Sequence, residues 1–202
     1  MNFKKITKEN LSIKDQDILK RLQVMKEKQK GAMFPYNILL IGFMGSGKTT
    51  ISDCLSQLFD MEIIDMDQEI VKKEDMTIPE IFKTKGEEYF RDAETNLLIE
   101  LQSKTNTIIS CGGGTAMRER NKVEMKKNGR VVLLTASPET ILERVKDNHD
   151  RPLLEGRKTV EYISELMDQR RPKYEAAADI VISTDQKSVL EICEEIALKA
   201  AN

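Results

Sequence analysis

The chain has 202 residues, of which 40% are hydrophobic and 33% are charged, and its formal net charge at pH 7 is −2. This length and composition fit one α/β domain with a modest appendage, and they exclude a largely disordered chain. The small net charge gives no long-range electrostatic reason to expect nucleic acid or an anionic membrane as a partner.

The ends of the chain and its cysteines indicate a cytoplasmic protein. The first ten residues contain lysines without the apolar stretch of a secretory signal, and no segment approaches the length of a membrane span. Cys54, Cys111 and Cys193 are scattered and match neither disulfide nor zinc spacing. We therefore expect buried thiols in a reducing compartment.

Residues 1–35 differ from the rest of the chain. Apolar residues at helical spacing in a lysine-rich segment predict an amphipathic helix over about residues 12–30, with Ser12 as its cap. The helix could pack on the core, pair with another copy, stay loose or lie on a membrane surface. Its apolar stripe has no aromatic residue and acidic residues interrupt its lysines, which favours packing.

A glycine-rich stretch at residues 42–50 fits the phosphate-binding pattern G-x-x-x-x-G-K-[ST]. An apolar run typical of a buried strand precedes it at 36–41, and helical spacing follows at 50–59. Strand, loop and helix in this order distinguish a phosphate loop from a turn that binds nothing. We predict a nucleoside triphosphate site in which Lys48 reaches the β/γ-phosphates and Thr49 is a Mg²⁺ ligand. The loop residues expected at the nucleotide are Gly45, Ser46, Gly47, Lys48, Thr49 and Thr50.

Two carboxylates, Asp65 and Asp67, end the next apolar run, which begins at Met61. The carboxyl ends of parallel strands meet at one edge of a sheet, so both side chains are expected beside the phosphate loop. The alternative is a solvated strand end. We favour a function, with one carboxylate near Mg²⁺ through water and the other on a substrate hydroxyl.

Residues 68–104 show no strand pattern and predict a helical insertion with helices at 68–73, 78–83 and 87–103. Arg91 follows an aromatic pair, and a guanidinium in such surroundings is suited to binding a carboxylate. Glu94 is three residues further on, and an ordinary surface ion pair would be worth ~0.2–0.5 kcal/mol. On spacing alone the ion pair is the favoured interpretation.

The third predicted strand, at 107–111, runs directly into Gly112, Gly113 and Gly114. Three glycines at this position bring bare backbone next to a ligand or make a sharp turn. A helix at 117–127, a strand at 130–134 and a helix at 139–146 follow.

Residues 147–158 are polar, contain Pro and Gly, and lie between two predicted helices, which makes them a candidate lid over the nucleotide. Within the lid, Arg151 is the candidate for stabilising charge on the transferring phosphoryl group, although it could be an ordinary surface arginine. A helix at 159–174, a strand at 180–183 and a helix at 187–199 complete the chain. Five strands, each followed by helix, predict an α/β fold with a doubly wound, five-stranded parallel sheet.

These segments together resemble the shikimate kinases, in the nucleoside-monophosphate-kinase branch of the P-loop fold. The resemblance covers the chain from about residue 37, so it divides the protein into a helical extension, residues 1–35, and a kinase-like domain, residues 36–202. The phosphate loop alone indicates only an NTPase. The specific part is an ordered set of motifs: Ile64-Asp65-Met66-Asp67, Ile81-Phe82, Gly86-Glu87, Phe90-Arg91-Asp92-Ala93-Glu94, Gly112-Gly113-Gly114, Arg151-Pro152-Leu153-Leu154 and Arg170-x-Pro172-x-Tyr174.

The resemblance implies ATP-dependent phosphorylation of the 3-hydroxyl of shikimate, giving shikimate 3-phosphate and ADP within aromatic amino-acid biosynthesis. It implies that Asp67 accepts hydrogen bonds from the ring hydroxyls and acts as the base. Lys48 and Arg151 would neutralise charge as the phosphoryl group moves. Arg91 and Arg170 would hold the shikimate carboxylate, which replaces the ion-pair interpretation of Arg91.

Further roles follow from the same resemblance. The three glycines at 112–114 would line the substrate pocket and abut the γ-phosphate. Asp65 would hold Mg²⁺ through water together with Thr49, Glu94 would steady the site, and Arg144 would stack on adenine.

The chain departs from the family pattern at three places. Cys111 replaces the usual threonine before the glycines, and Asp75 replaces a glycine in the helical insertion, where it should tolerate a left-handed turn. The segment near Asp185 lacks a proline that some members carry, which leaves the purine contact open.

We expect ATP and Mg²⁺ as cofactors, shikimate as the small-molecule substrate, and neither nucleic acid nor membrane as a partner. A monomer is expected, although the N-terminal helix could mediate self-association. One alternative is a kinase of the gluconate type; the motifs at Phe90-Arg91 and Arg170-x-Pro-x-Tyr174 argue against it. Another is an idle nucleotide-binding module, against which the intact set Lys48, Thr49, Asp65, Asp67 and Arg151 argues.

Overall fold

A computed structural model describes residues 11–29, 31–146 and 158–201. Its sheet has five strands, which are β1 (Asn37–Ile41), β2 (Glu62–Asp65), β3 (Thr107–Ser110), β4 (Gly129–Thr135) and β5 (Ile180–Ser183). The strand order is β2-β3-β1-β4-β5, and all four pairings are parallel. The predicted doubly wound parallel sheet is confirmed.

Helices cover both faces of this sheet. They are α1 (Ile13–Lys28), α2 (Lys48–Phe59), α3 (Met66–Glu74), α4 (Ile78–Lys85), α5 (Glu87–Leu101), α6 (Glu119–Lys127), α7 (Pro138–Val145), α8 (Val160–Ala177) and α9 (Val189–Ala200). The predicted helical insertion corresponds to α3, α4 and α5, which lie between β2 and β3 in the chain. The left-handed turn expected at Asp75 is present, with φ 51° and ψ 34°.

Most observed helix ends differ from the predicted ones by one or two residues. Two differences concern the structure around the three glycines. The helix expected from residue 117 is preceded by a 3₁₀ turn (Thr115–Met117), and α6 begins only at Glu119. Helix α8 continues past Pro172 to Ala177, beyond its expected end. Pro172 lacks the N–H that would bond one turn back, but Tyr174 and Ala177 are buried, and their packing holds the last turn in place.

Strand β1 is buried along its whole length and divides the core into two layers. Ile38 and Leu40 belong to a cluster with α2 and α9, whereas Leu39 and Ile41 belong to a cluster with α5 and α8. Alternate side chains of a strand point to opposite faces, so a strand covered on both faces reads as continuously apolar.

Helix α1 packs on the core, as expected. Ile18 and Leu22 are 1% and 2% exposed and belong to the cluster of α2 and α9. The Ser12 hydroxyl accepts a hydrogen bond from the backbone N–H of Asp15 at 3.1 Å and so caps the helix, as predicted.

In the parts of the chain that the structure describes, no helix has the length and apolar character needed to cross a membrane. Because all five strands are parallel, the residues that follow β1, β2 and β3 meet at one edge of the sheet. This edge carries the phosphate loop, the two carboxylates and the three glycines.

Candidate active site

The phosphate loop joins β1 to α2 through backbone that favours glycine. Gly42, Gly45 and Gly47 have φ angles of 145°, 78° and 101°. A Cβ on Gly42 would collide with the carbonyl oxygen of Leu134 on β4. Only glycine fits such positions without strain, which explains the spacing of the motif.

Two side chains of this loop suit it to an anion. Ser46 is 1% exposed, and its Oγ has no hydrogen-bond partner among the described residues. The Lys48 ammonium donates at 2.9 Å to the carbonyl oxygen of Gly42, which holds it over the loop. A buried unpaired hydroxyl is costly unless something occupies the site, so the loop fits a bound phosphate.

The predicted Mg²⁺ residues lie on adjacent elements of the same edge. Thr49 is exposed in the first turn of α2. Asp65 ends β2, and its Oδ1 accepts from the backbone N–H of Gln68 at 3.1 Å, which caps α3. No cluster of three or more acidic, Cys or His ligands occurs within residues 11–29, 31–146 and 158–201. Mg²⁺ at a nucleotide needs only one or two protein ligands besides phosphate and water, so this donor set fits.

Asp67 lies in the first turn of α3 and is partly buried. Burial, with the nearby charges of Asp65 and Glu94, raises the pKa of its carboxyl from 3.8 to about 6, although Lys48 and Arg91 oppose the shift. A carboxylate shifted in this way is ionised at neutral pH and is a stronger base than an ordinary aspartate.

Each of the three glycines after β3 lies against a different predicted site residue. A Cβ on Gly112 would lie 2.6 Å from Oδ1 of Asp67. A Cβ on Gly114 would collide with the guanidinium of Arg91. A Cβ on Gly113 would lie 3.5 Å from the Arg170 guanidinium and 3.7 Å from the Tyr174 hydroxyl. The triplet therefore brings together three side chains from α3, α5 and α8.

Arg91 makes the ion pair that its spacing favours, but the pair is not on the surface. Nη1 donates to Glu94 at 2.8 Å, and the Glu94 side chain is fully buried. Nη2 donates to Glu87 at 2.9 Å, and the Glu87 side chain is 69% exposed. The guanidinium also lies 5.4 Å from the centre of the Phe90 ring. Nη1 is therefore fixed by a buried partner, whereas Nη2 has a partner that is exposed to solvent.

Helix α8 contributes Arg170 and Tyr174 next to the triplet. The Tyr174 hydroxyl donates to the carbonyl oxygen of Gly113 at 2.7 Å. The Arg170 guanidinium lies 5.8 Å from the ring centre of Phe43, a phosphate-loop residue. The extra turn beyond Pro172 matters here, because it places the buried Tyr174 against the glycines.

A buried polar network behind Arg91 was not anticipated from the sequence. The Thr115 hydroxyl donates to Oε1 of Glu94 at 2.5 Å. The Asn121 amide donates to the carbonyl oxygen of Thr115 at 2.9 Å and accepts from the Thr95 hydroxyl at 2.6 Å. Thr95, Thr115 and Asn121 are almost completely buried. Their partners are 6 to 26 residues away in the chain, so no local pattern indicates them.

The predicted adenine side is built around Arg144 near the end of α7. Its Nη1 donates to the carbonyl oxygen of Gly45 at 3.2 Å and to the Thr184 hydroxyl at 2.9 Å. Its Nη2 donates to the carbonyl oxygen of Thr184 at 3.2 Å. Asp185 accepts from the backbone N–H of Ser137 at 2.9 Å. Arg144 therefore joins the phosphate loop to the segment after β5.

The remaining predictions concern Cys111 and the candidate lid with Arg151. Cys111 is buried, and burial strongly raises the pKa of its thiol, which keeps it neutral. Arg151 and almost all of the candidate lid lie outside the described residues.

The family model and the similar curated proteins are all shikimate kinases. The family model for shikimate kinase matches residues 44–201. The shikimate kinase of Persephonella marina is 43% identical over 160 residues, which are 79% of this chain and 96% of that protein. That of Sulfurihydrogenibium sp. is 41% identical over 163 residues, or 81% of this chain and 96% of that one.

Solved structures agree with these matches. The shikimate kinase from Acinetobacter baumannii in complex with shikimate superposes with a TM-score of 0.72 at 36% identity, covering 80% of this chain and 90% of that one. The shikimate kinase from Aquifex aeolicus has a TM-score of 0.69 at 39% identity, covering 82% and 96%. A gluconokinase from Sinorhizobium meliloti, at 15% identity and a TM-score of 0.50, shares the fold alone. The chain belongs to the shikimate kinase family.

Proposed function

We propose that this chain transfers the γ-phosphoryl group of ATP to the 3-hydroxyl of shikimate, with Asp67 as the base and Arg91 and Arg170 as the carboxylate-binding pair. The observation that carries this assignment is the glycine triplet, where each of these three side chains lies against a different glycine. Shikimate carries both hydroxyls and a carboxylate, so its chemistry suits a base on one side of the triplet and cations on the other.

Asp67 is suited to the proton transfer. Its raised pKa lets it accept a proton from a hydroxyl at neutral pH, and its place beside the phosphate loop brings that hydroxyl towards the γ-phosphate. Phosphoryl transfer is catalysed mainly by positioning and by stabilising charge. Lys48, at the start of α2, supplies a positive charge at the phosphates.

Arg91 is suited to the substrate carboxylate because only one of its arms is permanently used. The buried Glu94 and Thr115 orient the guanidinium through Nη1. The exposed Glu87 on Nη2 is a weak partner in water, so a substrate carboxylate can displace it at little cost. Arg170 approaches from α8 to complete a two-cation clamp.

On the nucleotide side, we propose that residues Gly45 to Thr50 cradle the phosphates and that Arg144 stacks on the base. Thr49 and Asp65 would hold Mg²⁺, directly and through water respectively. The ion neutralises phosphate charge when it is bound. The role of Arg151 as a clamp on the transferring phosphoryl rests on the motif Arg151-Pro152-Leu153-Leu154.

We also propose that the chain acts as a monomer. The buried face of α1 lies on α2 and α9 of its own chain, which removes that face from self-association. Light scattering during gel filtration measures the mass, and a dimer at micromolar concentration would contradict this proposal.

The test of the function is ADP release from MgATP with shikimate, gluconate or no acceptor, in wild type and in Asp67→Asn. We expect release only with shikimate and only in the wild type. Release with gluconate would overturn the assignment of the arginines. ATP binding without release would favour the nucleotide-binding module, and turnover by Asp67→Asn within tenfold of wild type would overturn the role of Asp67.

A further inference from the structure

Helix α1 lies outside the matched kinase region, yet it packs on two helices that serve the nucleotide side. One is α2, which begins in the phosphate loop at Lys48. The other is α9, whose N-cap Ser188 directly follows the segment that holds Arg144. The apolar side of α1 fixes it on both helices, since Ile18 and Leu22 are buried in their shared cluster.

The polar contacts of α1 are concentrated on the start of α9. Oδ1 of Asp15 accepts a hydrogen bond from the Ser188 hydroxyl at 2.5 Å. Lys14 forms an ion pair with Glu191, the residue that completes the capping box with Ser188. One turn further on, Arg21 binds Glu194 through two nitrogens at 2.6 and 2.9 Å. The first turns of α9 are therefore held from outside by α1.

Residues 184–187 connect the N-cap of α9, Ser188, to the nucleotide side. Thr184 accepts two hydrogen bonds from Arg144, and Arg144 also donates to Gly45 in the phosphate loop. Gln186 adopts a left-handed φ of 55°, an unfavourable conformation for this residue type that its surroundings must hold. Within the segment, Asp185 accepts from the backbone N–H of Ser137, and Lys187 pairs with Glu195. Arg144 holds the start of the segment, and Asp15, through Ser188, holds its end.

We propose that α1 is a positioning element for the nucleotide, and that Asp15 is the residue through which it acts. By holding Ser188, Asp15 limits the movement of residues 184–187 and so keeps Arg144 beside the phosphate loop. This inference rests on the proposed function in taking ATP as the ligand of that side, and it adds a role for a helix that the kinase motifs do not include. The shikimate side belongs to α3, α5, α8 and the glycine triplet, so it does not depend on this contact.

The test compares Asp15→Ala with Asp17→Ala in the full chain. Asp17 is on the same helix, and its side chain pairs with Lys20 on the exposed surface, which makes it the matched control. A coupling of this kind predicts that Asp15→Ala raises KM for ATP about three- to tenfold, with kcat and KM for shikimate within about twofold. Asp17→Ala should match the wild type, and Asp15→Asn, which keeps an acceptor oxygen, should recover most of the ATP affinity.

A double-mutant cycle shows whether Asp15 and Ser188 act through one contact. If they do, Ser188→Ala combined with Asp15→Ala raises KM for ATP no more than the larger single effect. Effects that multiply would overturn the proposal, as would an unchanged KM for ATP or equal rises in both KM values. Calorimetric titration with ATP gives the same comparison without turnover, so it still decides the role of Asp15 if the wild type fails to phosphorylate shikimate. Circular dichroism confirms that each variant is folded. If Asp15→Ala is not folded, Ser188→Ala, which removes the same hydrogen bond from the other side, carries the test.

Discussion

The carboxylate of Asp67 lies directly against the α-carbon of Gly112. A Cβ at residue 112 would approach Oδ2 to 3.2 Å and Oδ1 to 2.6 Å, and the second distance is closer than non-bonded atoms tolerate. The backbone of Gly112 does not have the positive φ that would strain another residue. The lack of a side chain at this position therefore serves the carboxylate rather than the turn.

We expect Gly112→Ala to lower kcat/KM for shikimate by about 10²-fold, because displacing a catalytic group by roughly 1 Å costs about that much. Steady-state kinetics with each substrate varied in turn measures the effect, and KM for ATP should change little. Gly113→Ala adds a methyl group to the same turn but away from Asp67, with contacts to Arg170 and Tyr174 at 3.5 and 3.7 Å, so it should cost less than Gly112→Ala. Equal losses in the two variants would show that the turn, not Asp67, is what the glycines protect.

Asp67 should set the pH dependence of the reaction. A base must be ionised, so kcat/KM for shikimate should rise about tenfold per pH unit below the Asp67 pKa of about 6 and level off above it. The measurement is a pH profile in constant ionic strength. A profile that is flat between about pH 5 and 8 would exclude a titrating base with this pKa.

The same shift predicts that Asp67→Asn stabilises the fold. The folded pKa is raised above its ordinary value, so the carboxyl contributes stability below about pH 4 that is lost as the pH rises through 6. Above that pH the ionised group lowers the free energy of unfolding by about 1–3 kcal/mol, and asparagine removes this cost. Urea unfolding should show Asp67→Asn more stable than wild type at about pH 8 and nearly equal at about pH 4. A variant that is less stable at both values would mean that the carboxylate holds the structure together.

Thr115 should position Arg91 through Glu94. Thr115→Val keeps the shape but leaves Oε1 of the buried Glu94 without its donor, which costs about 1–3 kcal/mol. We expect KM for shikimate to rise about tenfold with KM for ATP unchanged, whereas Thr115→Ser, which keeps the hydroxyl, stays near wild type. Failure of serine to restore the affinity would show that the methyl group, and hence packing, is what matters.

Arg91 should act through the two-sided hydrogen bonding of its guanidinium rather than through its positive charge alone. Arg91→Lys keeps a cation beside the buried Glu94, so the fold survives, but it cannot bind Glu94 and a carboxylate together as the guanidinium can. Calorimetric titration should show shikimate affinity lowered by at least about tenfold and ATP affinity within about twofold. An equal loss for both ligands would make Arg91 structural.

Much of the fold could be predicted because its signals are local. The phosphate loop, the apolar runs of β1 and β3, and the capping of α1 by Ser12 depend on neighbouring residues, and each is present. The extra turn of α8 was missed because burial of Tyr174 and Ala177 outweighs the missing hydrogen bond of Pro172, and burial is not a local property.

The residues of the candidate site also divide into those that a local sequence signal predicts and those that it does not. Asp65, Asp67 and the glycines were found because they follow strands, and strand ends meet at one edge in a parallel sheet. Thr115, Asn121 and Thr184 were missed because each acquires its partner only when distant segments fold together. The spacing of Arg91 and Glu94 predicted their ion pair, but not that Glu94 would be completely buried.

The crowding of acids around Asp67 has a consequence for inhibitor chemistry. Asp65 and Glu94 both add negative charge at the carboxylate that is proposed to receive the substrate hydroxyl. A shikimate analogue with an ammonium group in place of that hydroxyl would bring positive charge to a position where three carboxylates repel one another. Such a compound would gain affinity from relieving the repulsion, most strongly above pH 6, where the carboxylate is ionised.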